Sequence, residues 1–150
     1  NENKNIIKDF IHKSGLINCG VISDDKIKNY ILQKSIFAVS KSGTISLEIC
    51  NAKIPSIILY KMGFMNFLII KMLVKTKFAN IINIAAKKEI IPELLQSDCN
   101  EMNIFNHVND YLDNPVKIKE QLVQTEKILE TLKINKSSSE LASLSLNKFL

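Results

Sequence analysis

One segment constrains the fold more than any other, because it joins an apolar run to a glycine turn and then to a helical pattern. Ile36-Phe37-Ala38-Val39 precedes Ser42-Gly43-Thr44, and Ile45-Ser46-Leu47-Glu48 follows directly. This order predicts a strand, a tight turn and a helix. Such a turn brings free backbone N–H groups and the positive end of a helix dipole together, an arrangement that holds phosphate.

Glu48 extends this interpretation from phosphate to nucleotide. It lies one helical turn beyond the first free amides, roughly 6–7 Å away at 1.5 Å per residue. A carboxylate there can accept hydrogen bonds from ribose hydroxyls while the diphosphate rests on the amides. The segment therefore predicts a nucleotide diphosphate site. The alternative is an ordinary helix capped by Ser42 or Thr44.

The same alternation continues along the chain and predicts an α/β fold. We expect strands at residues 19–22, 36–39 and 56–60, separated by helices, a short strand or extended segment at residues 78–84, and a brief helix starting at residues 92–96. Strands and helices that alternate in this way form βαβ units and a parallel sheet. Ligands of such sheets bind beyond the carboxyl ends of the strands, where the glycine turn would lie. The last third is predicted to be helical, with Asn114-Pro115 opening one helix.

Charge favours an anionic partner. All 20 basic residues are lysine, and no carboxylate occurs between Glu48 and Glu89, a stretch that contains seven lysines. Such a stretch suits phosphates, an anionic membrane or nucleic acid. Residues 62–77 mix large apolar side chains with lysine, so we expect a membrane-facing surface there rather than a core helix. Aromatic residues interleaved with lysine are too few to favour single-stranded nucleic acid.

Cysteine and histidine exclude several chemistries. Three scattered cysteines, Cys19, Cys50 and Cys99, favour a reducing compartment over a disulfide framework or a zinc site. His12 and His107 have no Ser, Cys or Asp partner by spacing, so a hydrolytic triad is not expected. We assign no catalytic residue, no metal and no cofactor to this chain.

Several motifs together resemble one family. Ser42-Gly43-Thr44 with Leu47-Glu48 is followed by the strand that ends Leu59-Tyr60-Lys61-Met62, and then by Asn80 to Ala85 and Glu89 to Gln96. From residue 35 to residue 96 this order and spacing are similar to the C-terminal part of lipid-A-disaccharide synthases, glycosyltransferases of the two-Rossmann-domain (GT-B) type. The flanking residues are compatible with the resemblance.

The resemblance implies an architecture. Residues 1–114 would form a partial Rossmann-like nucleotide-sugar-binding domain with a parallel sheet, the second half of a GT-B fold. Residues 115–150 would form C-terminal helices that pack on a partner domain or are exchanged with it. A homodimer through these helices is a further expectation.

The resemblance also implies an activity. The family moves a diacylated glucosamine from its UDP carrier to a diacylated glucosamine 1-phosphate. The UDP-binding residues carried over are Ser42, Gly43, Thr44, Glu48, Asn83 and Lys88. Lys88 stands where the family usually has arginine, and its neighbour Lys87 where glycine is common.

The family's Gly-Ser-Arg turn and its N-terminal domain, with the proposed catalytic carboxylate, find no match here. We therefore expect the UDP-binding part of the enzyme, inactive alone, in the cytoplasm and peripheral on the inner face of the bacterial inner membrane. Nucleic acid is not an expected partner. Another GT-B nucleotide-sugar enzyme and a non-catalytic basic membrane-binding module are the alternatives.

Overall fold

The computed structural model describes residues 2–63 and 77–133, and the chain divides into two compact units, Asn1–Ser35 and Ile36–Leu150. The first unit contains helix α1 (Glu2–Lys13) and helix α2 (Asp25–Lys34). Asp24 caps α2, since its carboxylate accepts the backbone N–H groups of Lys26 and Ile27. This side-chain cap fixes the start of the helix.

The strand predicted at residues 19–22 is wrong, because these residues form no regular element. The regular elements of the described first unit are both helices. A short strand in such a unit has no neighbouring strand to pair its N–H and C=O groups, so they face water instead.

The second unit is an α/β domain with a parallel sheet, which confirms the predicted fold class. Its elements in chain order are β1 (Ala38–Lys41), α3 (Thr44–Asn51), β2 (Ser56–Tyr60), α4 (Ile81–Ala86), β3 (Glu93–Leu95), a one-turn 3-10 helix (Gln96–Asp98), α5 (Glu101–Leu112) and α6 (Pro115–Leu132). The described sheet has three strands in the order β1-β2-β3, and both pairings are parallel. In the register, Lys41 lies beside Leu59 and Tyr60 lies beside Leu95.

Two predicted elements change type. Residues 78–84 do not form a strand, because Asn80 caps α4 by accepting the N–H of Ile82 with its side-chain oxygen. Residues 92–96 do not start a helix. The Pro92 carbonyl accepts the Ile58 N–H at 2.9 Å, and the segment pairs with β2 as strand β3. Pairing with a neighbouring strand outweighed local propensity in this short segment.

The core lies between the sheet and the helices packed against it. Its buried members are Cys50, Ile58, Ile82, Ile90 and Ile91, and side chains of α3 and α6 pack against them. Full burial of each isoleucine contributes roughly 1.5–3 kcal/mol. This core holds α3 and α4 against the strands and so sets where the helices begin.

Gln121 of α6 ties that helix to the amino end of β2. Its side-chain oxygen accepts the Ser56 N–H at 2.8 Å, and its amide donates to the Ser56 carbonyl at 2.9 Å. The Tyr111 hydroxyl of α5 lies 3.2 Å from the same amide nitrogen. The side chain is almost fully buried, so it replaces the strand partner that the first residue of β2 lacks on this side.

Most of the predicted membrane-facing segment, residues 64–76, and the final predicted helix beyond residue 133 lie outside the described residues. Within residues 2–63 and 77–133, no helix combines the length and the hydropathy needed to cross a membrane.

Candidate functional site

The loops that follow the three strands lie along one edge of the sheet. Because β1, β2 and β3 run parallel, their carboxyl ends at Lys41, Tyr60 and Leu95 meet at the same edge. The Ser42-Gly43 turn leaves β1 there, and Gln96 leaves β3 there. This carboxyl edge is where a Rossmann-like sheet places its ligand.

Gly43 makes the turn that opens α3. Its φ of 146° and ψ of −164° lie in a region that only glycine enters readily, although a Cβ there would meet no atom within 4 Å. The requirement for glycine is therefore conformational rather than steric. Gly43 is the N-cap residue and α3 has no capping side chain, so the alternative of a Ser42 or Thr44 cap is wrong. The N-cap residue thus gives the first amides of α3 no side-chain oxygen as acceptor.

Thr44 and Glu48 lie on one face of α3. Thr44 is the first helical residue, Glu48 follows four positions later, and both are exposed. Residues at this spacing stack one above the other on a helix. The first turn of α3 has no acidic residue, so the helix dipole there is not offset by a local carboxylate.

Ser42 contributes to the site in a different way from its neighbours. Its hydroxyl donates a 2.6 Å hydrogen bond to the Ala79 carbonyl, just before α4. The hydroxyl proton therefore points into the protein. Ser42 fixes the turn against α4, and the donors left for an anion are the amides beyond it and the Thr44 hydroxyl.

Asn83 is buried beneath the surface. Its side-chain amide donates to the Ile91 carbonyl and to the Glu93 carboxylate, each at 2.7 Å. Its side-chain oxygen accepts the N–H groups of Ile90 and Ile91 at 2.8 and 3.0 Å. These four bonds use the hydrogen-bonding capacity of the side chain. Asn83 holds the loop between α4 and β3.

The structure does not bring Lys88 to the Ser42–Thr44 turn. Lys88 is exposed and follows the end of α4, whereas Ala79, which contacts Ser42, precedes its beginning. Ile90, two residues further on, approaches Gln121 at the amino end of β2. Lys88 therefore lies at the other end of α4 from the contact between Ala79 and Ser42.

Lys87 explains why glycine suits its position. Lys87 ends α4 in the left-handed conformation, with φ of 56° and ψ of 22°. Glycine adopts this conformation freely, whereas a residue with a Cβ is strained there by about 1 kcal/mol. The glycine noted for the family at this position is thus accounted for by a helix ending.

Lys41 and Tyr60 were not singled out from the sequence, yet they flank the turn. They are the last residues of neighbouring strands, and the Lys41 ammonium lies 5.5 Å from the centre of the Tyr60 ring. This distance suits a cation–π contact. The signal available in the sequence was that Tyr60 ends one predicted strand and that Lys41 lies two residues after another. The pair supplies a positive charge beside the glycine turn.

Glu93 and Gln96 also organise this edge. Glu93 accepts the backbone N–H groups of Ala79 and Asn80 at 2.6 and 3.0 Å. Gln96 accepts the Met62 N–H at 2.8 Å and donates to the Met62 carbonyl at 3.2 Å. Both belong to the motif that carried the resemblance. Only the fold shows that their partners come from distant segments.

The described residues offer neither a reactive core thiol nor a metal-binding cluster. Burial raises the pKa of the Cys50 thiol to about 11, which leaves it protonated and unreactive in the core. In the part of the chain that the structure describes, no three His, Cys, Asp or Glu side chains form a group able to hold a metal ion.

The fold and the edge together define a class. A parallel sheet whose crossover helix opens at a glycine turn on the carboxyl edge is a Rossmann-like α/β domain, present here in part. Comparison with known proteins identifies the family within this class. The family model described as lipid-A-disaccharide synthetase matches residues 2–147, so this chain belongs to that family.

Curated relatives agree with the family model. The lipid-A-disaccharide synthase of Rickettsia felis is 38% identical over 125 residues, which cover 82% of this chain and 32% of the relative. That of Rickettsia canadensis is 39% identical over 113 residues, covering 75% and 29%. That of Rickettsia bellii is 35% identical over 131 residues, covering 87% and 33%. The chain thus spans about a third of the length of these relatives.

Proposed function

We propose that this chain is the UDP-binding part of a glycosyltransferase of lipid A biosynthesis. The complete enzyme would move a diacylated glucosamine from its UDP carrier to a diacylated glucosamine 1-phosphate and release UDP. Membership of the lipid-A-disaccharide synthetase family supports the reaction class. The observation that carries the proposal for this part is the uncapped start of α3 at the Gly43 turn.

Each residue at the carboxyl edge receives a role in this proposal. The amides at the start of α3 and the Thr44 hydroxyl donate to the diphosphate, and the dipole of α3 favours its charge. Glu48, one turn further, accepts from the ribose hydroxyls. Lys41 neutralises phosphate charge from the end of β1. Ser42 holds the turn.

Asn83 and Lys88 enter the proposal from outside the turn. Asn83 supports the site from beneath, through the loop between α4 and β3. Lys88 keeps the phosphate role implied by the resemblance, but its position after α4 predicts a smaller contribution than that of Thr44.

The chain alone is proposed to transfer no sugar. A general base must lie within hydrogen-bond reach of the acceptor hydroxyl, and we assign that group to the remaining part of the enzyme. The share of the relatives' length that this chain covers supports the assignment. No cofactor or metal is required by the proposal. Disaccharide formed by the purified chain above the blank rate would contradict it.

The resemblance to the family is also the basis of our proposal for the location and assembly of the enzyme. We place it in the cytoplasm, peripheral on the inner face of the inner membrane, with residues 62–77 at the lipid surface. Residues 1–114 would form the nucleotide-sugar-binding part, and residues 115–150 would pack on or exchange with a partner domain, in a homodimer. A lysine near an anionic surface adds about 1 kcal/mol, and salt screens this attraction.

Vesicle co-sedimentation tests the membrane contact. Anionic vesicles should bind the chain at low salt and release it at high salt. Changing Lys71, Lys75 and Lys77 to glutamine should abolish binding. The control removes the same charge from the exposed lysines of α6 and its end, Lys119, Lys127 and Lys133, and should retain binding. Equal loss in both triple variants would indicate attraction to net charge alone.

Nuclear magnetic resonance titration with UDP tests the nucleotide site. The amides of Gly43, Thr44 and Glu48 should shift first. Thr44→Val should weaken binding about three- to tenfold, because a donor to a charged oxygen is lost. Glu101→Ala, at the exposed start of α5, serves as the control and should leave binding unchanged. Shifts confined to α5 and α6 would contradict the proposed site.

A further inference from the structure

A carboxylate on the third strand holds three donors of another segment at once. Glu93 is the first residue of β3, and its two oxygens accept the N–H groups of Ala79 and Asn80 and the side-chain amide of Asn83. The three distances are 2.6, 3.0 and 2.7 Å. A glutamine has one oxygen, so in either orientation it would turn its own N–H toward one of these donors. The arrangement therefore requires a carboxylate.

One peptide group connects Glu93 to the glycine turn. The N–H of Asn80 and the carbonyl of Ala79 belong to the same peptide unit, which is planar and rigid. Its N–H donates to Glu93, and its carbonyl accepts the Ser42 hydroxyl at 2.6 Å. Hydrogen bonds in such a chain polarise and strengthen one another. The orientation that Glu93 imposes on this peptide therefore reaches the Ser42 hydroxyl directly.

Ser42 passes this constraint to the turn. It precedes Gly43, whose φ of 146° sets the direction of the first α3 amides. In the part of the chain that the structure describes, α3 has no capping side chain to fix its start. Within α3, the Ser46 hydroxyl donates to the Gly43 carbonyl at 2.6 Å, and on the other side of the turn the Ser42 hydroxyl ties it to the Ala79 carbonyl.

We propose that Glu93 is a positioning residue of the nucleotide turn and acts through the Ala79–Asn80 peptide and Ser42. This inference rests on the proposed function. Glu93 does not touch the nucleotide. It orients the peptide whose carbonyl holds the Ser42 hydroxyl, and it thereby keeps the Gly43 turn in the conformation that presents the α3 amides to a diphosphate.

The test is a double-mutant cycle with UDP as the ligand. The complete 150-residue chain is titrated as wild type, Glu93→Gln, Ser42→Ala and the double variant. Each single variant should weaken UDP binding about tenfold, and the double variant should be no more than about threefold worse than either, because residues in one network are not additive. Ser42→Thr, which keeps a hydroxyl, should stay within about threefold of wild type. The control is Glu120→Gln on the exposed face of α6.

The outcomes separate this inference from the proposed function. If wild type binds UDP at Gly43 and Thr44 but Glu93→Gln binds equally well, or if the two losses multiply, the positioning role is overturned. If wild type does not bind UDP there, the proposed function fails, and the positioning role is then tested on the amide resonances of the chain without ligand. In that test Glu93→Gln must still shift the Gly43 and Thr44 amides, and Glu120→Gln must not. Unmoved amides overturn the inference.

The positioning role can still be tested if Glu93→Gln fails to fold. If Glu93→Gln does not fold, Ser42→Ala decides, because it must shift the Asn80 amide on the far side of the shared peptide and weaken UDP binding. An Asn80 amide that stays in place in Ser42→Ala overturns the inference.

Discussion

Replacement of Asn83 by alanine should be among the most destabilising single changes in the second unit. The side chain is fully buried and makes four hydrogen bonds to protein groups. Alanine removes the acceptor for the N–H groups of Ile90 and Ile91 and the donor for the Ile91 carbonyl. These groups belong to the short connection that leads into β3, which buries both isoleucines.

The magnitude follows from those orphaned groups. A buried polar group without a partner costs about 1–3 kcal/mol, and three backbone groups lose theirs. Water entering the space left by the amide recovers part of this cost. We therefore expect the free energy of unfolding to fall by about 3–4 kcal/mol, a large fraction of the roughly 5–15 kcal/mol typical of a domain.

Urea denaturation followed by circular dichroism measures this change. The midpoint should fall, while the dependence of the unfolding free energy on urea stays the same. Asn106→Ala on the exposed side of α5 is the matched control and should be neutral or slightly stabilising, because alanine favours a helix. Asn83→Asp should be no better than Asn83→Ala, because it puts a second carboxylate next to Glu93.

The reasoning would be refuted by an Asn83→Ala variant that loses less than about 1 kcal/mol. Such a value would mean that water replaces Asn83 as the hydrogen-bond partner of the backbone groups before β3, with little loss of unfolding free energy. It would also remove the basis for treating Asn83 as a structural residue, and a direct role at the ligand would then be the better interpretation.

Three further predictions concern other contacts. The Cys50 thiol, with its pKa raised to about 11 by burial, should stay unmodified by iodoacetamide at pH 8 in the folded chain, whereas exposed Cys19 reacts; equal modification of both would contradict the burial of Cys50. The Lys53 side chain holds the pKa of Glu126 below its usual 4.5, so Glu126→Gln should lower stability slightly at neutral pH. The difference in stability from wild type should vanish as the pH falls through the folded-state pKa of Glu126. A difference that persists at pH 2 in thermal melts would count against the ion pair. Gln121→Ala should lower the unfolding free energy in urea by about 2–4 kcal/mol, because the Ser56 N–H and carbonyl lose their partner, and a loss below 1 kcal/mol would show that water replaces it.

Strong local signals predicted several elements correctly. The β2 strand covers Ser56–Tyr60 as expected, because five successive residues without charge follow a proline and suit a strand buried on both faces. The α6 helix begins at Pro115 after an Asn114 cap, as the Asn-Pro pair indicates. In both segments the structure that forms is determined by residues adjacent in sequence.

The elements that sequence patterns missed depend on distant partners. β3 has three residues and becomes a strand because β2 lies beside it. Residues 19–22 have a strand composition but no neighbouring strand in the described part of their unit. The place of Lys88 depends on how long α4 is and on which edge of the sheet it ends, and neither follows from the spacing of a motif.

Hydrogen bonding and exposure divide the motif residues into two groups that a resemblance alone cannot separate. Ser42, Asn83 and Glu93 direct their polar atoms to other parts of the protein. Thr44 and Glu48 lie exposed on one face of α3. Substitution in the first group changes the backbone that forms the turn, so stability and UDP binding should fall together. Substitution of Thr44 removes a contact with the ligand, so UDP binding should fall while the unfolding free energy stays within about 0.5 kcal/mol of wild type.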